Sequence, residues 1–400
     1  MRVAIVVEKV RPGNGGAEIG VLELALGLQR EGIDVEFFAR QSRHATYSDF
    51  PVTARNRCRL WLDRHKGFVT WVDHTIMGRS NRIDIVHAIT PVLSADVYQP
   101  RSGIIDATYR HSIRKYLSRR KPICGVGRPN SRQKEKREQE RLLAKKTGCI
   151  FTPNSRFVQS TCTEYLGIPP ERNRLIYNGI DINSLVFARN RNQEAEKLRE
   201  KLQGTVHDDY LLGLFPVTSN LLLKGTGPLE EAIRILREQN SALAQRLRIM
   251  VATRKDNYRG SPDVQEHFVN IGPQNTRSQM AACYDLVDFV ILPSWHDPCS
   301  RVVLEGICLG TPAITSKFNG AGEVVSRYNC GIVANLLARK SGCFCAEDLA
   351  KAIEKMADPV QRETWKINCA NASEYFCIDH HVKGLICIYE EILRSRNRVH

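Results

Sequence analysis

The chain has 400 residues, 42% of them hydrophobic and 25% charged, which is ordinary for a folded soluble protein and long enough for two hydrophobic cores. No uninterrupted apolar stretch approaches the roughly 20 residues of a membrane helix, and the opening run Met1–Lys9 is too short for a signal peptide and ends in charge. A cytoplasmic protein is expected. The 13 cysteines are odd in number and form no Cys-x-x-Cys pair, Cys343 and Cys345 being the closest two. That excludes a zinc knuckle or thioredoxin motif and predicts reduced thiols, with Cys149, Cys283, Cys308 and Cys387 buried in apolar patterns. The net charge of +15 is concentrated between Arg101 and Lys146, where fifteen Lys and Arg face four acids. Such a block attracts phosphate on nucleic acid, on anionic lipid or on a phosphorylated glycolipid.

Strand and helix signals alternate along the chain, as in parallel α/β domains. Arg2–Val7 reads as a strand, Ala17–Arg30 as a helix stopped at Gly32, and Val35–Phe38 as the next strand. Ile83–Val86, Cys149–Phe151 and Leu175–Tyr177 continue the strands, with a helix at Phe157–Leu166. The polar, charged, helix-prone stretch Arg191–Gly204 reads as a linker. The alternation then restarts with strands at Leu211–Phe215, Leu247–Val251, Phe268–Ile271, Phe289–Leu292, Ala313–Thr315 and Gly331–Val333. Helices at Leu229–Arg237, Ser278–Leu286 and Arg301–Leu309 separate them, and His381–Leu393 closes the series. The organisation predicted is an N-terminal lobe over 1–185, a linker over 186–205, a second lobe over 206–375 and a C-terminal helix over 376–400 that returns to the first lobe. Open α/β sheets bind ligands beyond the carboxyl ends of their strands, so a crevice between two such lobes is the expected site.

The segment Leu292–Gly306 carries the most chemistry. A strand runs into a loop, and a helix begins just after Ser300, a good N-cap residue. The backbone N–H groups of Ser300, Arg301 and Val302 would then offer a diphosphate the positive end of a helix. Asp297 stands before the helix and Glu305 one turn inside it, eight residues on, where two carboxylates can flank a ligand and accept hydrogen bonds from sugar hydroxyls.

Asp297-x7-Glu305, followed by Gly310-Thr311-Pro312, resembles the Glu-x7-Glu signature of retaining glycosyltransferases of family 4. Asp-Pro-Cys-Ser before Val-Val-Leu-Glu, with Phe318–Ala321 after it, is similar to the lipopolysaccharide core glucosyltransferases of that family. The resemblance implies an α/β, GT-B architecture of two Rossmann-like lobes with parallel sheets facing a cleft. It further implies that Asp297 holds hydroxyls of the donor sugar and Glu305 those of the ribose; Asp is one methylene shorter than the family's Glu. Gly15-Gly16-Ala17-Glu18 resembles the family loop that closes on the donor diphosphate, and Asn319 and Gly320 would place backbone near the donor. Ile85–His87 and Ala95–Pro100 resemble the segment with the polar acceptor-side residue, which makes Asp96, and less directly His87, the acceptor-side candidates. Lys224 matches one of the two bases that grip the diphosphate. Leu222 stands where relatives carry Arg, which implies either weaker activity or compensation by Arg254 or another base.

The catalytic set expected is therefore Asp96, Lys224 and Asp297. No Asp-x-Asp occurs, which favours transfer without a metal or other cofactor, the departing diphosphate being stabilised by Lys224 and helix-terminal amides. UDP-glucose is the expected donor and a glycolipid or lipopolysaccharide-type molecule the acceptor, with GDP-mannose the competing donor. The basic block, with Arg114, Lys115, Arg119, Arg120 and Lys121, is expected to dock the enzyme on the anionic inner face of the cytoplasmic membrane. An inactive scaffold is a rival reading. A nucleic-acid-binding protein is another, weakened because Tyr109 and Tyr116 are the only aromatics in the block.

Overall fold

The run Val3–Val7 has no polar side, so it makes an interior strand rather than a half-solvated one. In the computed structural model, which describes residues 1–10, 16–41, 46–47, 49–55, 65–79, 82–112, 114, 130–190, 193–217, 220–254, 258, 260–338 and 341–397, it lies in β1 (Arg2–Lys9), buried throughout this run. Around it stand β2 (Asp34–Gln41), β3 (Thr46–Tyr47), β4 (Phe50–Ala54), β5 (Ile85–Ala88), β6 (Val97–Tyr98) and β7 (Ile150–Phe151). They form a seven-stranded sheet in the order β3-β4-β2-β1-β5-β6-β7, parallel except for the β3–β4 pair. The register of β1 sets Val3 opposite Val35 on one side and Ile85 on the other.

Helices cover both faces of this sheet. Leu24 and Leu28 of Gly16–Arg30 pack with Val382, Leu385 and Tyr389 of Ile378–Asn397 on one face. Phe68 and Val72 of His65–Met77 share the other with Leu143, Val158 and Cys162. Each such side chain contributes roughly 1.5–3 kcal/mol by leaving water. The helix Ile378–Asn397 thus belongs with the first unit, which comprises Met1–Arg110, Gly127–Gly179 and Ile378–His400. Gly179 admits it: a Cβ there would lie 2.7 Å from the Ile378 backbone.

The second unit comprises His111–Val126 and Ile180–Cys377. Its strands are β8 (Leu211–Pro216), β9 (Leu247–Ala252), β10 (Phe268–Asn270), β11 (Phe289–Leu292), β12 (Ala313–Ser316) and β13 (Gly331–Ala334). All pair in parallel in the order β10-β9-β8-β11-β12-β13.

Several expectations need correction. Leu175–Tyr177 is not a strand: the chain there is irregular, with Ile176 N–H donating to the Pro153 carbonyl. The stretch expected as a linker contains the helix Gln193–Leu202, whose Ala195, Leu198 and Leu202 are buried, and it packs against Arg277–Leu286 inside the second unit. Its charges hid an apolar stripe at helical spacing. Cys387 is exposed, whereas Cys149, Cys283 and Cys308 are buried, and every described cysteine is a free thiol. Burial pushes the Cys149 and Cys283 thiols up to about 12, so both stay protonated. Among the described residues no helix is long and apolar enough to cross a membrane.

Candidate functional site

The carboxyl ends of β8, β11 and β12 lie side by side because these strands are neighbours in a parallel sheet. After β8 the chain makes a single helical turn, Leu221–Lys224, entered by Asn220 at φ 52° and left by Gly225 at φ 96°. Only glycine fits at 225, since a Cβ would lie 2.0 Å from the Pro293 carbonyl oxygen. The same approach lets Trp295 N–H donate to the Leu223 carbonyl at 2.8 Å. Lys224 is thereby delivered to the loop after β11.

The loop after β12 is laced to that same loop. Asp297 N–H donates to the Phe318 carbonyl at 3.0 Å, and Gly320 N–H to the Asp297 carbonyl at 2.9 Å. The Asn319 Oδ1 accepts from Ser300 N–H at 3.2 Å and from Ala321 N–H at 3.0 Å. Asp297, Ser300, Asn319, Gly320 and Lys224 are therefore one constellation at the ends of three strands. The expected cap is corrected in one respect. Ser300 occupies the N-cap of Arg301–Cys308, but its hydroxyl makes no capping bond and its own N–H is taken by Asn319 rather than left for a ligand.

The charges are paired. Lys224 Nζ sits 2.5 Å from Asp297 Oδ2, the lysine side chain 30% exposed and the aspartate 8%. A half-open pair of this kind can exchange partners when a more highly charged anion arrives. Glu305 accepts from Arg301 Nε at 2.7 Å and from the Tyr284 hydroxyl at 3.0 Å. Burial and the Glu305 charge push the Tyr284 phenol well up, so it remains a donor and fixes the carboxylate. Val302 is half-buried on the same helix. Burial first, then the electrostatic influence of His111, Lys224 and Arg114, push His296 down to about 3, which leaves a neutral imidazole beside the pair.

In the first unit the predicted acceptor-side residues are placed differently. His87 is fully buried in β5, its Nδ1 2.5 Å from the Tyr389 hydroxyl, and burial with nearby Arg101 and His381 pushes it down to about 3. It joins the sheet to the C-terminal helix. Asp96 precedes β6, at the amino end of the sheet, where its carboxylate accepts from Val86 N–H at 2.8 Å and from Arg396. Ligands of open parallel sheets meet the other end, so Asp96 lies away from the acceptor-side position expected of it, while His87, beside Gln99 and Arg101, is fully buried. Gly16 is exposed at the start of its helix; Gly15 lies outside the described residues.

Lys115, Arg119, Arg120 and Lys121 of the basic block also lie outside them. Elsewhere in the block, Arg137 and Arg141 pair with Asp106, Arg132 and Lys136 with Glu8, and Lys146 with the Leu93 and Ala95 carbonyls. Part of the apparent charge excess is thus internal wiring. Arg114 is not a plain surface base either: its guanidinium lies 4.6 Å from the Phe318 ring centre in the second unit.

Some polar groups escaped the sequence reading. At the carboxyl ends of β6 and β7, Arg101 Nε donates to Gln99 Oε1 at 2.7 Å and Asn154 Nδ2 to the Arg101 carbonyl at 3.4 Å. Gln99 lies in the Ala95–Pro100 segment, where the sequence points to Asp96 as the polar residue, and it assigns Asn154 no chemical role. In the second unit, His111 stacks on His296 with ring centres 5.5 Å apart; nothing in sequence links positions so distant.

Comparison with known proteins gives the family and the fold. The Glycosyltransferase Family 4 profile matches residues 14–184 and the Glycosyl transferases group 1 profile matches residues 219–358. An uncharacterized glycosyltransferase of Methanocaldococcus jannaschii, MJ1607, is 25% identical over 357 residues, covering 83% of this chain and 84% of that one. A shorter match to the Bacillus subtilis glycosyltransferase relative YtcC, 28% identical over 110 residues, spans 28% of this chain and 26% of that protein. Among solved structures, WaaG, a glycosyltransferase involved in lipopolysaccharide biosynthesis, superposes with a TM-score of 0.68 at 17% identity over 93% of this chain and 95% of its own. Anabaena HepE in complex with UDP-glucose gives 0.61 at 17% identity, with both chains covered completely.

Proposed function

Because the chain belongs to the family 4 glycosyltransferases of GT-B fold, we propose that it moves a hexose, glucose in the first instance, from a nucleoside diphosphate sugar to a glycolipid or lipopolysaccharide-core-type acceptor, with retention at the anomeric carbon. The observation that carries this reading is the Lys224–Asp297 pair at the strand ends, laced to the Asn319 loop and flanked by the braced carboxylate of Glu305. In this reading Glu305 accepts hydrogen bonds from the ribose and Asp297 from the transferred sugar. Lys224 shifts from Asp297 toward the diphosphate as the sugar–phosphate bond breaks and its electron pair leaves with the diphosphate. Charge on that leaving group grows in the transition state, so a cation placed there lowers the barrier and not merely the dissociation constant. UDP-glucose is favoured as donor by the likeness to HepE, which has been seen with it. The reaction needs no metal in this reading, and it takes place on the inner face of the cytoplasmic membrane, where the basic block meets anionic lipid.

Thermal-shift titration with UDP-glucose, UDP-galactose and GDP-mannose tests the donor. Stabilisation by UDP-glucose above the others, with release of UDP in the presence of a lipid-linked acceptor, is expected. Preferential stabilisation by GDP-mannose would replace glucosyl with mannosyl transfer, and no response to any of the three would overturn the donor site.

A further inference from the structure

A nucleoside diphosphate brings two or more negative charges, and Lys224 supplies one positive charge that it already shares with Asp297. Leu222, two residues earlier on the same turn, supplies none. A second cation, Arg114, packs against the loop after β12. Arg114 lies with its guanidinium over Phe318, 4.6 Å from the ring centre, and its Nη1 is 2.9 Å from His111 Nδ1. Phe318 is the residue whose carbonyl accepts from Asp297 N–H at 3.0 Å, and His111 stacks on His296, the neighbour of Asp297. Arg114 therefore approaches the loop that Lys224 reaches, and both act on the His296 imidazole, which their field and burial keep neutral.

Two buried groups of the same loops are donors in want of an acceptor. Asn319 Nδ2 and Trp295 Nε1 are buried and have no hydrogen-bond partner among the described residues, although Asn319 Oδ1 is fully used. A native interior seldom leaves such donors unmet, and an oxygen-rich anion would meet them. Two cations, two unmet N–H donors and one carboxylate already paired make an anion site. We propose that Arg114 is the second phosphate-binding group of this site, so that the donor diphosphate is held between Arg114 and Lys224. The inference rests on the donor-site reading above and gives His111 and Arg114 a place in it. The ring of Phe318 and the imidazole of His111 hold the guanidinium in place before the ligand arrives, which reduces the ordering cost of binding.

Calorimetric titration of the full chain with UDP, uridine and inorganic pyrophosphate tests this, using Arg114→Ala, Arg114→Gln and Arg114→Lys. Loss of a charge-assisted contact should weaken UDP and pyrophosphate about 10- to 100-fold in the Ala and Gln variants. Uridine affinity should stay at the wild-type value, and Arg114→Lys should recover part of the loss. UDP affinity within twofold of wild type in either folded variant overturns the proposal and leaves the donor site standing. An equal loss for uridine and UDP also overturns it, because Arg114 would then support the fold rather than the phosphates. If the wild type binds guanosine diphosphate instead, the same comparison is made with GDP and guanosine. If it binds neither nucleotide nor pyrophosphate, the donor reading falls and this inference with it.

Discussion

The two units are built alike, a parallel sheet between helices, yet they use polar residues in opposite ways. In the second unit the Lys224–Asp297 pair, its side chains 30% and 8% exposed, lies at the carboxyl end of the strands. In the first unit His87 is fully buried and bonded to Tyr389, and the Asp96–Arg396 pair, its side chains 9% and 46% exposed, lies at the amino end of the strands with Val86 N–H also donating to Asp96. The difference teaches that a polar residue near a strand is a functional candidate only when it stands at the end where the sheet opens. Buried at the middle or the amino end, the same residue type is a structural joint.

The largest effect that would sharpen this contrast is at Lys224. Lys224→Ala should lower kcat by about 10²- to 10³-fold while weakening donor binding less, because the charge it meets grows only in the transition state. Steady-state kinetics with direct donor titration separates the two; equal losses would make Lys224 a ground-state contact. Next is Glu305→Ala, which should weaken nucleotide binding by about 1–3 kcal/mol, read by calorimetry on the folded variant. Unchanged affinity would remove Glu305 from the ribose.

A smaller effect tests the first unit. The folded pKa of His87 is about 3, below the ordinary 6.5, so the unfolded chain takes up its proton first as pH falls. The stability it lends is complete above pH 6.5 and is lost progressively down to about 3, amounting to about 2 kcal/mol by pH 5. Glu140, raised by burial to about 7, acts with the opposite sign, since folding favours its protonated form and stability falls as pH rises toward 7. Comparing urea melts of wild type and His87→Gln at pH 7.5 and pH 5 cancels that contribution. The variant should lose about 2 kcal/mol less than wild type, with donor binding unaltered. A wild-type acid loss retained in full by the variant would mean that His87 is not the buried neutral joint described here.

Smallest per residue is the docking effect, about 1 kcal/mol for each base near an anionic leaflet. Replacing Arg119, Arg120 and Lys121 with Glu should reduce sedimentation with anionic vesicles while hydrolysis of donor alone continues unchanged. Undiminished vesicle binding at moderate salt would defeat the docking role and leave the transferase intact.

Much of this protein was legible in its residues because the signals are local. The apolar runs of β1, β8, β9 and β11, the helix after Ser300, and the spacing from Asp297 to Glu305 depend on neighbours a few residues away, and the structure keeps them all. Some elements were not legible: β6 has two residues, too few to show a period, and Gln193–Leu202 hid three buried side chains among charges. What only the tertiary structure decided is which distant side chains meet. The Lys224–Asp297 pair spans 73 positions and the His87–Tyr389 bond 302, and each exists because a parallel sheet or a docked helix brings strand ends together. Residue chemistry and most of the secondary structure were therefore legible locally, because they arise from short-range sterics and periodicity. Exposure, pairing and the end of the sheet at which a residue stands arise from long-range packing.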